Sequence, residues 1–211
     1  MKTNMTEILI RSFGQERGDS LSIDRKKQII DAATKSFSLF GYKATTMDQV
    51  SKLANVGKGT IYNFFKNKEE LFDEITGSLI KEMKEAAEGV IDPHHSFYEN
   101  VHAALFRILE FRKEHQLTIK LFQEEREMGT PAVIEVRKRL EEAIISYIKV
   151  KITEAVDKGE IRPCNPEITA FIMLQLYVSL IFDWEQEHKP LDKDEIAKLF
   201  EMYIFEGLSP R

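Results

Sequence analysis

Apolar residues recur at spacings of three and four along almost the whole chain, and this near-helical period constrains the fold more than any other feature. Sustained apolar/polar alternation is absent, as are the Asn-Gly and Asp-Gly pairs that favour β-hairpin turns. The sequence therefore predicts an all-α protein of about nine helices. The first covers about 24–40, with Ile29, Ala33, Phe37 and Phe40 on one face and Gly41 to end it. Thr46-Met47-Asp48-Gln49 has the form of a capping box opening a short helix to about Leu53. After the turn Ala54-Asn55-Val56 a third helix covers 57–64. Asn67-Lys68-Glu69-Glu70 then forms a second capping box, for a long helix whose stripe is Leu71, Ile75, Leu79 and Met83. Further helices are predicted at about 96–114, 116–127, 131–158, 166–186 and 192–206, with Pro131 and Pro166 in harmless first-turn positions and Lys158-Gly159 as a stop.

Charge divides the chain unevenly. The overall net charge is −5, yet residues 1–66 hold 11 Lys+Arg against 6 Asp+Glu, and the remainder 19 against 29. A small basic module on an acidic body fits phosphate binding at one end and ligand or partner binding at the other. The single Cys164, in the turn Arg162-Pro163-Cys164-Asn165-Pro166, excludes an internal disulfide and a multi-cysteine metal site. No run of about 18 uncharged apolar residues occurs, and the start lacks the order of a signal peptide, so a soluble cytoplasmic protein is expected. Residues 1–23 mix Met5, Ile8, Leu9 and Phe13 with Gly14 and Gly18 and predict a flexible N-terminal arm. Its Arg11 and Arg17, with Arg25, could enter a minor groove or simply belong to a frayed terminus.

Two short helices joined by a tight turn, the second opening on a lysine, describe a helix-turn-helix over 24–66. At about 100° per residue, Ile61 and Phe65 share a face, with Val56 anchoring the turn, and are expected to pack on Phe37, Val50 and Leu53. The opposite face carries Gly59 and Asn63, flanked by Thr60 and Tyr62, with Lys58 at the helix start beside free backbone amides.

The stretch from Leu39-Phe40-Gly41-Tyr42-Lys43-Ala44-Thr45-Thr46 through Val56-Gly57-Lys58-Gly59-Thr60-Ile61-Tyr62-Asn63-Phe64-Phe65-Lys66-Asn67-Lys68-Glu69-Glu70-Leu71 resembles the N-terminal domain of the TetR/AcrR family of transcriptional regulators. The helix itself offers close backbone approach at Gly59 and phosphate-binding amides from Gly57 onward; the resemblance implies base and phosphate contacts from Lys58, Thr60, Tyr62 and Asn63 and flanking backbone contacts from Thr45, Thr46 and Lys66. The family often has serine at Gly57 and tyrosine or histidine at Phe64, so a capping hydroxyl and a phosphate contact are missing here. Phe64 is left divided between groove and core.

Residues 67–211 are expected to bind a ligand and dimerise. Residues 166–186 are apolar around most of the helix circumference, so two covers are needed: the body's own core and an identical subunit. Phe171, Val178, Ile181, Phe182 and Trp184, with Leu199, Phe200 and Tyr203 from the last helix, are the expected homodimer interface. In the family the last two long helices form a four-helix bundle across a twofold axis, which places two recognition helices on a pseudo-palindrome. Met83, Phe97, Phe106, Phe111, Phe122 and Tyr177, with Gln116, Gln175 or Glu124 as polar contacts, could line an apolar pocket or serve as ordinary core. The resemblance implies a repressor released from double-stranded operator DNA by a small hydrophobic or amphipathic effector, with coupling through the fourth helix. A ligand-independent or architectural DNA-binding regulator would share the motif without a cavity. His94, His95, His102, His115 and His188 form no metal-ligand spacing and no serine elbow occurs, so neither metal, cofactor nor enzymatic chemistry is expected.

Overall fold

A computed structural model describes the backbone of residues 5–114 and 116–206, with side chains over 24–111 and 116–206. The side chains of Arg11 and Arg17 lie outside the described residues. Among those described, nine α-helices and no strand occur: α1 (Met5–Ala44), α2 (Met47–Leu53), α3 (Lys58–Phe64), α4 (Lys68–Glu88), α5 (Phe97–Glu114), α6 (Gln116–Met128), α7 (Pro131–Asp157), α8 (Pro166–Val178) and α9 (Lys193–Phe200). The expected all-α class is the one observed. Helix α1 runs from Met5, through residues where the sequence predicts a flexible arm with a short helical turn.

The residues fall into two compact units, one of Met1–Thr76 with Leu117–Ala132 and one of Gly77–Gln116 with Val133–Arg211. Helix α6 thus belongs with the helix-turn-helix, although α5 and α7, its neighbours in sequence, lie in the other unit.

In the first unit Ile29, Ala33, Phe37, Val50, Ile61, Phe65, Leu71 and Phe72 are buried. Two expected members are not. Phe40 is 58% exposed and Leu53 54% exposed. Gly41 interrupts the helical course of α1 at φ 84°, ψ 171°, and the chain beyond it turns inward, so Tyr42 fills the place expected of Phe40. Its ring lies 5.8 Å from Phe37 and 4.6 Å from Phe72. Leu53, in the last turn of the two-turn α2, points away from the core reached by Met47 and Val50.

In the second unit Phe97, Leu105, Leu109, Ile152, Ala170, Met173, Ile181, Ile196, Phe200 and Ile204 form one core cluster. Its helices begin and end as their sequences dictate. Gly159 (φ 71°) closes α7, with Glu160 N–H donating to Ala155 O at 2.9 Å and Gly159 N–H to Val156 O at 3.0 Å, a Schellman arrangement. Asn165 Oδ1 accepts from the Glu167 and Ile168 amides to start α8, and Asp192 and Glu195 form a capping box for α9. Both last helices run on into a π-helical turn, Ser179–Asp183 and Glu201–Phe205. The run Pro166–Gln186 is long and apolar enough, by length and composition alone, to cross a membrane.

Candidate nucleic-acid interface

The helix-turn-helix is assembled from local signals that the structure makes explicit. Thr46 Oγ1 accepts the Gln49 amide at 3.2 Å while Gln49 Oε1 accepts the Thr46 amide at 2.9 Å, so two otherwise free donors at the start of α2 are satisfied. The turn to α3 passes through Asn55 at φ 53°, a left-handed conformation that asparagine tolerates better than most residues. Val56 N–H then closes it on Ser51 O at 3.0 Å. Helix α3 has Gly57 at its N-cap with no side-chain cap, as the missing hydroxyl predicts.

Only Ile61 and the following Phe65 are buried from this segment, at 0% and 2% exposure, which fixes the rotation of α3. Gly57, Lys58, Gly59, Tyr62, Asn63 and Lys66 are exposed, and Thr60 and Phe64 are half-buried. A Cβ on Gly59 would meet no atom within 4 Å, so the protein's own packing places no demand for glycine there. Lys58 Nζ lies 2.9 Å from Asp48 Oδ1, and this hydrogen-bonded carboxylate holds the ammonium above the usual lysine value. The second expected capping box is modified. Asn67 Oδ1 accepts the Glu70 amide, but Glu70 Oε2 reaches the amide of Lys66 rather than that of Asn67.

Thr45 does not join this surface. It is fully buried, its Oγ1 donating to Gly41 O at 2.8 Å and lying 3.0 Å from Ser36 Oγ. The expected DNA contact through its side chain is therefore corrected: Thr45 ties the end of α1, and the exposed Thr46 follows it.

The elbow between α1 and α2 is held from two sides by residues expected from sequence in other roles, Lys68 in a capping box and Glu124 at a pocket. From α4, Lys68 Nζ donates to Tyr42 O at 2.9 Å and Thr45 O at 3.0 Å, and lies 4.1 Å from the centre of the Tyr42 ring. Its partial burial lowers the ammonium's proton affinity. From α6, the buried Glu124 accepts the amides of Tyr42 and Lys43 and the Thr130 hydroxyl. A cation thus faces the free carbonyls of the elbow and an anion its free amides, the arrangement that peptide dipoles favour. A Cβ at Gly41 would overlap Glu124 Oε2, so this glycine is required for space as well as for its positive φ. Glu124 is consequently engaged here and does not supply a pocket's polar contact.

The chain matches the family model described as bacterial regulatory proteins, tetR family, over residues 29–75, and a tetracyclin repressor-like C-terminal domain over 94–208. It belongs to the TetR family.

The uncharacterized HTH-type transcriptional regulator YhgD of Bacillus subtilis is 65% identical to this TetR-family chain over 189 residues, covering 90% of this chain and 99% of that one. The fatty acid metabolism regulator protein of the same organism is 30% identical over 153 residues, covering 64% and 70%. Among solved structures, AibR in complex with isovaleryl coenzyme A and operator DNA superposes with a TM-score of 0.62 at 20% identity, over 84% of this chain and 97% of that one. This TetR-family member is a DNA-binding transcriptional regulator, and its relatives are regulators rather than enzymes.

The remaining expected sites are only partly assembled. Phe97 and Phe111 are buried, Met83, Phe106 and Tyr177 half-buried, all in the second unit. Phe97 is core, 5.7 Å from the Tyr98 ring. Phe106 stacks on His102 at 4.5 Å with Lys193 Nζ 5.2 Å from its ring centre. Gln175 donates to Glu141 Oε1 at 3.0 Å. Gln116, at the start of α6, is exposed, and Phe122, on α6 in the first unit, is half-buried. Of the interface residues, Phe171, Trp184 and Tyr203 are exposed and Val178, Phe182 and Leu199 half-buried. Ile181 and Phe200, at 1% and 2% exposure, pack inside their own subunit. Both belong to the core cluster of the second unit, which corrects the expectation for both.

Proposed function

We propose that this chain is a ligand-responsive repressor that binds a pseudo-palindromic operator as a homodimer and leaves it when a small amphipathic effector binds. The observation that carries DNA recognition is the outward face of α3. Tyr62 is 44% exposed, Asn63 and Lys58 stand beside it, and Gly59 leaves open space among them that the protein itself does not use. A hydroxyl-bearing ring, an amide and an ammonium around a bare backbone suit base edges and phosphates at close approach. Thr46, Gly57, Thr60, Phe64 and Lys66 flank this face. Functionally the chain divides into residues 1–23 as an arm, 24–66 as the DNA reader and 67–211 as the effector-binding and dimerising body.

The homodimer rests on α8 and α9. Ile168, Phe171 and Ile172 are 56%, 48% and 48% exposed, with Trp184, Met202 and Tyr203 also uncovered. A second copy seated there removes this apolar surface from water and separates two recognition helices by about 34 Å or somewhat more, one turn of B-DNA. For the effector, the B. subtilis fatty acid metabolism regulator and the isovaleryl coenzyme A complex of AibR make an acyl thioester the first class to try. The hydroxyls of Tyr98 and Tyr147, buried without hydrogen-bond partners, offer polar contacts for such a molecule.

Selection of bound sequences from random duplex DNA tests the operator reading. Wild type is expected to enrich a pseudo-palindrome, and Lys58→Ala or Tyr62→Ala to weaken that site by about 1–3 kcal/mol. Equal enrichment by the variants would remove α3 from the interface. Acyl-coenzyme A thioesters of graded chain length are then added to the complex; release by one length class supports the effector, and no release by any favours a ligand-independent regulator.

A further inference from the structure

The elbow between α1 and α2 is the point from which the whole recognition surface hangs. Helix α1 ends at Ala44 and α2 begins at Met47, so residues 41–46 form the elbow between them. Within this elbow the amide of Thr45 donates to Tyr42 O at 3.3 Å, Thr45 Oγ1 ties back to Gly41 O, and Thr46 caps α2. The amides of Tyr42 and Lys43 donate to the carboxylate of Glu124, 82 and 81 residues away in sequence. It is 3% exposed, and Gly41 is shaped to admit it.

We propose that Glu124 is a positioning residue for operator recognition. Its carboxylate fixes the elbow, and through Thr45 and the Thr46 cap it fixes how α2 and then α3 present Lys58, Tyr62 and Asn63. The inference rests on the operator reading above. Helix α6 is then a working part of the DNA reader rather than of the effector-binding body. Binding to arbitrary duplex DNA depends mainly on charge and tolerates a changed elbow, whereas base readout depends on placement to a fraction of an ångström.

The test compares full-length wild type with Glu124→Gln, which keeps the volume but replaces one acceptor oxygen by an NH2 donor, and with Glu127→Gln, an exposed control on the same helix. Dissociation constants for the selected operator and for competitor duplex are measured at fixed salt, well below each variant's unfolding midpoint. Loss of a buried acceptor predicts an operator affinity about tenfold weaker or more in Glu124→Gln, with competitor binding within about twofold and faster amide exchange at Tyr42 and Lys43. A folded Glu124→Gln with unchanged operator affinity overturns the proposal, as does an equal loss on both DNAs, which marks a merely structural role. If Glu124→Gln does not fold, Thr130→Val removes a single donor to the same carboxylate. An operator-only loss of about two- to threefold is then expected, and no loss is decisive against the proposal. A wild type that selects no operator defeats the operator reading itself, while a selected operator unaffected by these variants defeats this inference alone.

Discussion

The outer faces of α3 and α8 are both left uncovered by their own units, and they differ in kind. On α3 the uncovered residues are Lys58, Gly59, Tyr62 and Asn63, which water solvates at little cost. On α8 they are Ile168, Phe171 and Ile172, three apolar side chains within two turns, each about half exposed. An exposed polar face gains from a partner only if that partner offers specific hydrogen bonds and charge. An exposed apolar face gains from any surface that excludes water, at roughly 25 cal/mol per Å2. The two helices therefore specify different partners by chemistry alone: α3 is suited to a polyanion with ordered edges, and α8 to another apolar face.

The largest effect is expected from breaking the apolar member of the pair. Phe171→Glu places a charge at the centre of the uncovered α8 face, where it costs little in the monomer because the residue is already 48% exposed. In a homodimer two such charges would meet across the axis and be desolvated. Sedimentation should show monomers, and operator affinity should fall by about 10²- to 10⁴-fold as two half-sites lose their linkage. A dimer that survives Phe171→Glu would mean that α8 is covered by something other than a second copy.

Gly59→Ala sharpens the polar side of the comparison, because stability and binding are expected to move in opposite directions. An added methyl meets nothing within 4 Å, and alanine suits a helix better than glycine, so the unfolding free energy should rise by about 0.5–1 kcal/mol. Operator affinity should drop, since the methyl occupies space left for a base or sugar. Thermal unfolding and binding titrations on the same preparation check both signs. A more stable protein with undiminished operator affinity would show that no partner comes close to Gly59.

These two faces were legible in the sequence because each is local. Helical period fixes which residues of α3 and α8 share a side, and the capping box at Thr46 marks where the reader begins. What the sequence could not show is whatever depends on chain reversal. Gly41 reads as a helix stop, but its second constraint comes from Glu124, which sits in the acidic run Glu124-Glu125-Arg126-Glu127 and is expected from sequence as a pocket's polar contact. Tyr42 takes the core position expected of Phe40 because the break at Gly41 changes the phase of everything after it. Thr45, which the resemblance places at the DNA backbone, is buried by the same turn. Ile181 lies in the run 166–186, apolar around most of its circumference, where period cannot separate the side facing the subunit's own core from the side left open; Phe200 shares the buried face of the amphipathic α9 with Ile196 and Ala197.

The smallest effect is expected at Asp48, and it bears on how the polar face meets DNA. In the free protein Lys58 and Asp48 are paired at 2.9 Å with side chains 66% and 56% exposed, so the pair contributes little to stability. On DNA the ammonium has to share or leave this carboxylate in order to reach a phosphate, and the carboxylate itself repels the backbone. Asp48→Asn should therefore tighten binding to any duplex by a few fold and steepen the dependence of log K on log salt by up to about 0.9, the value of one further phosphate contact. The ratio of operator to competitor affinity should change little, because a phosphate contact carries no sequence information. Repeating the substitution in a Lys58→Ala background separates the two causes. If the slope change disappears there, Asp48 acts by restraining Lys58; if it persists, the carboxylate acts directly as a negative charge on the polar face, a penalty that α8, with no phosphate to meet, would never register.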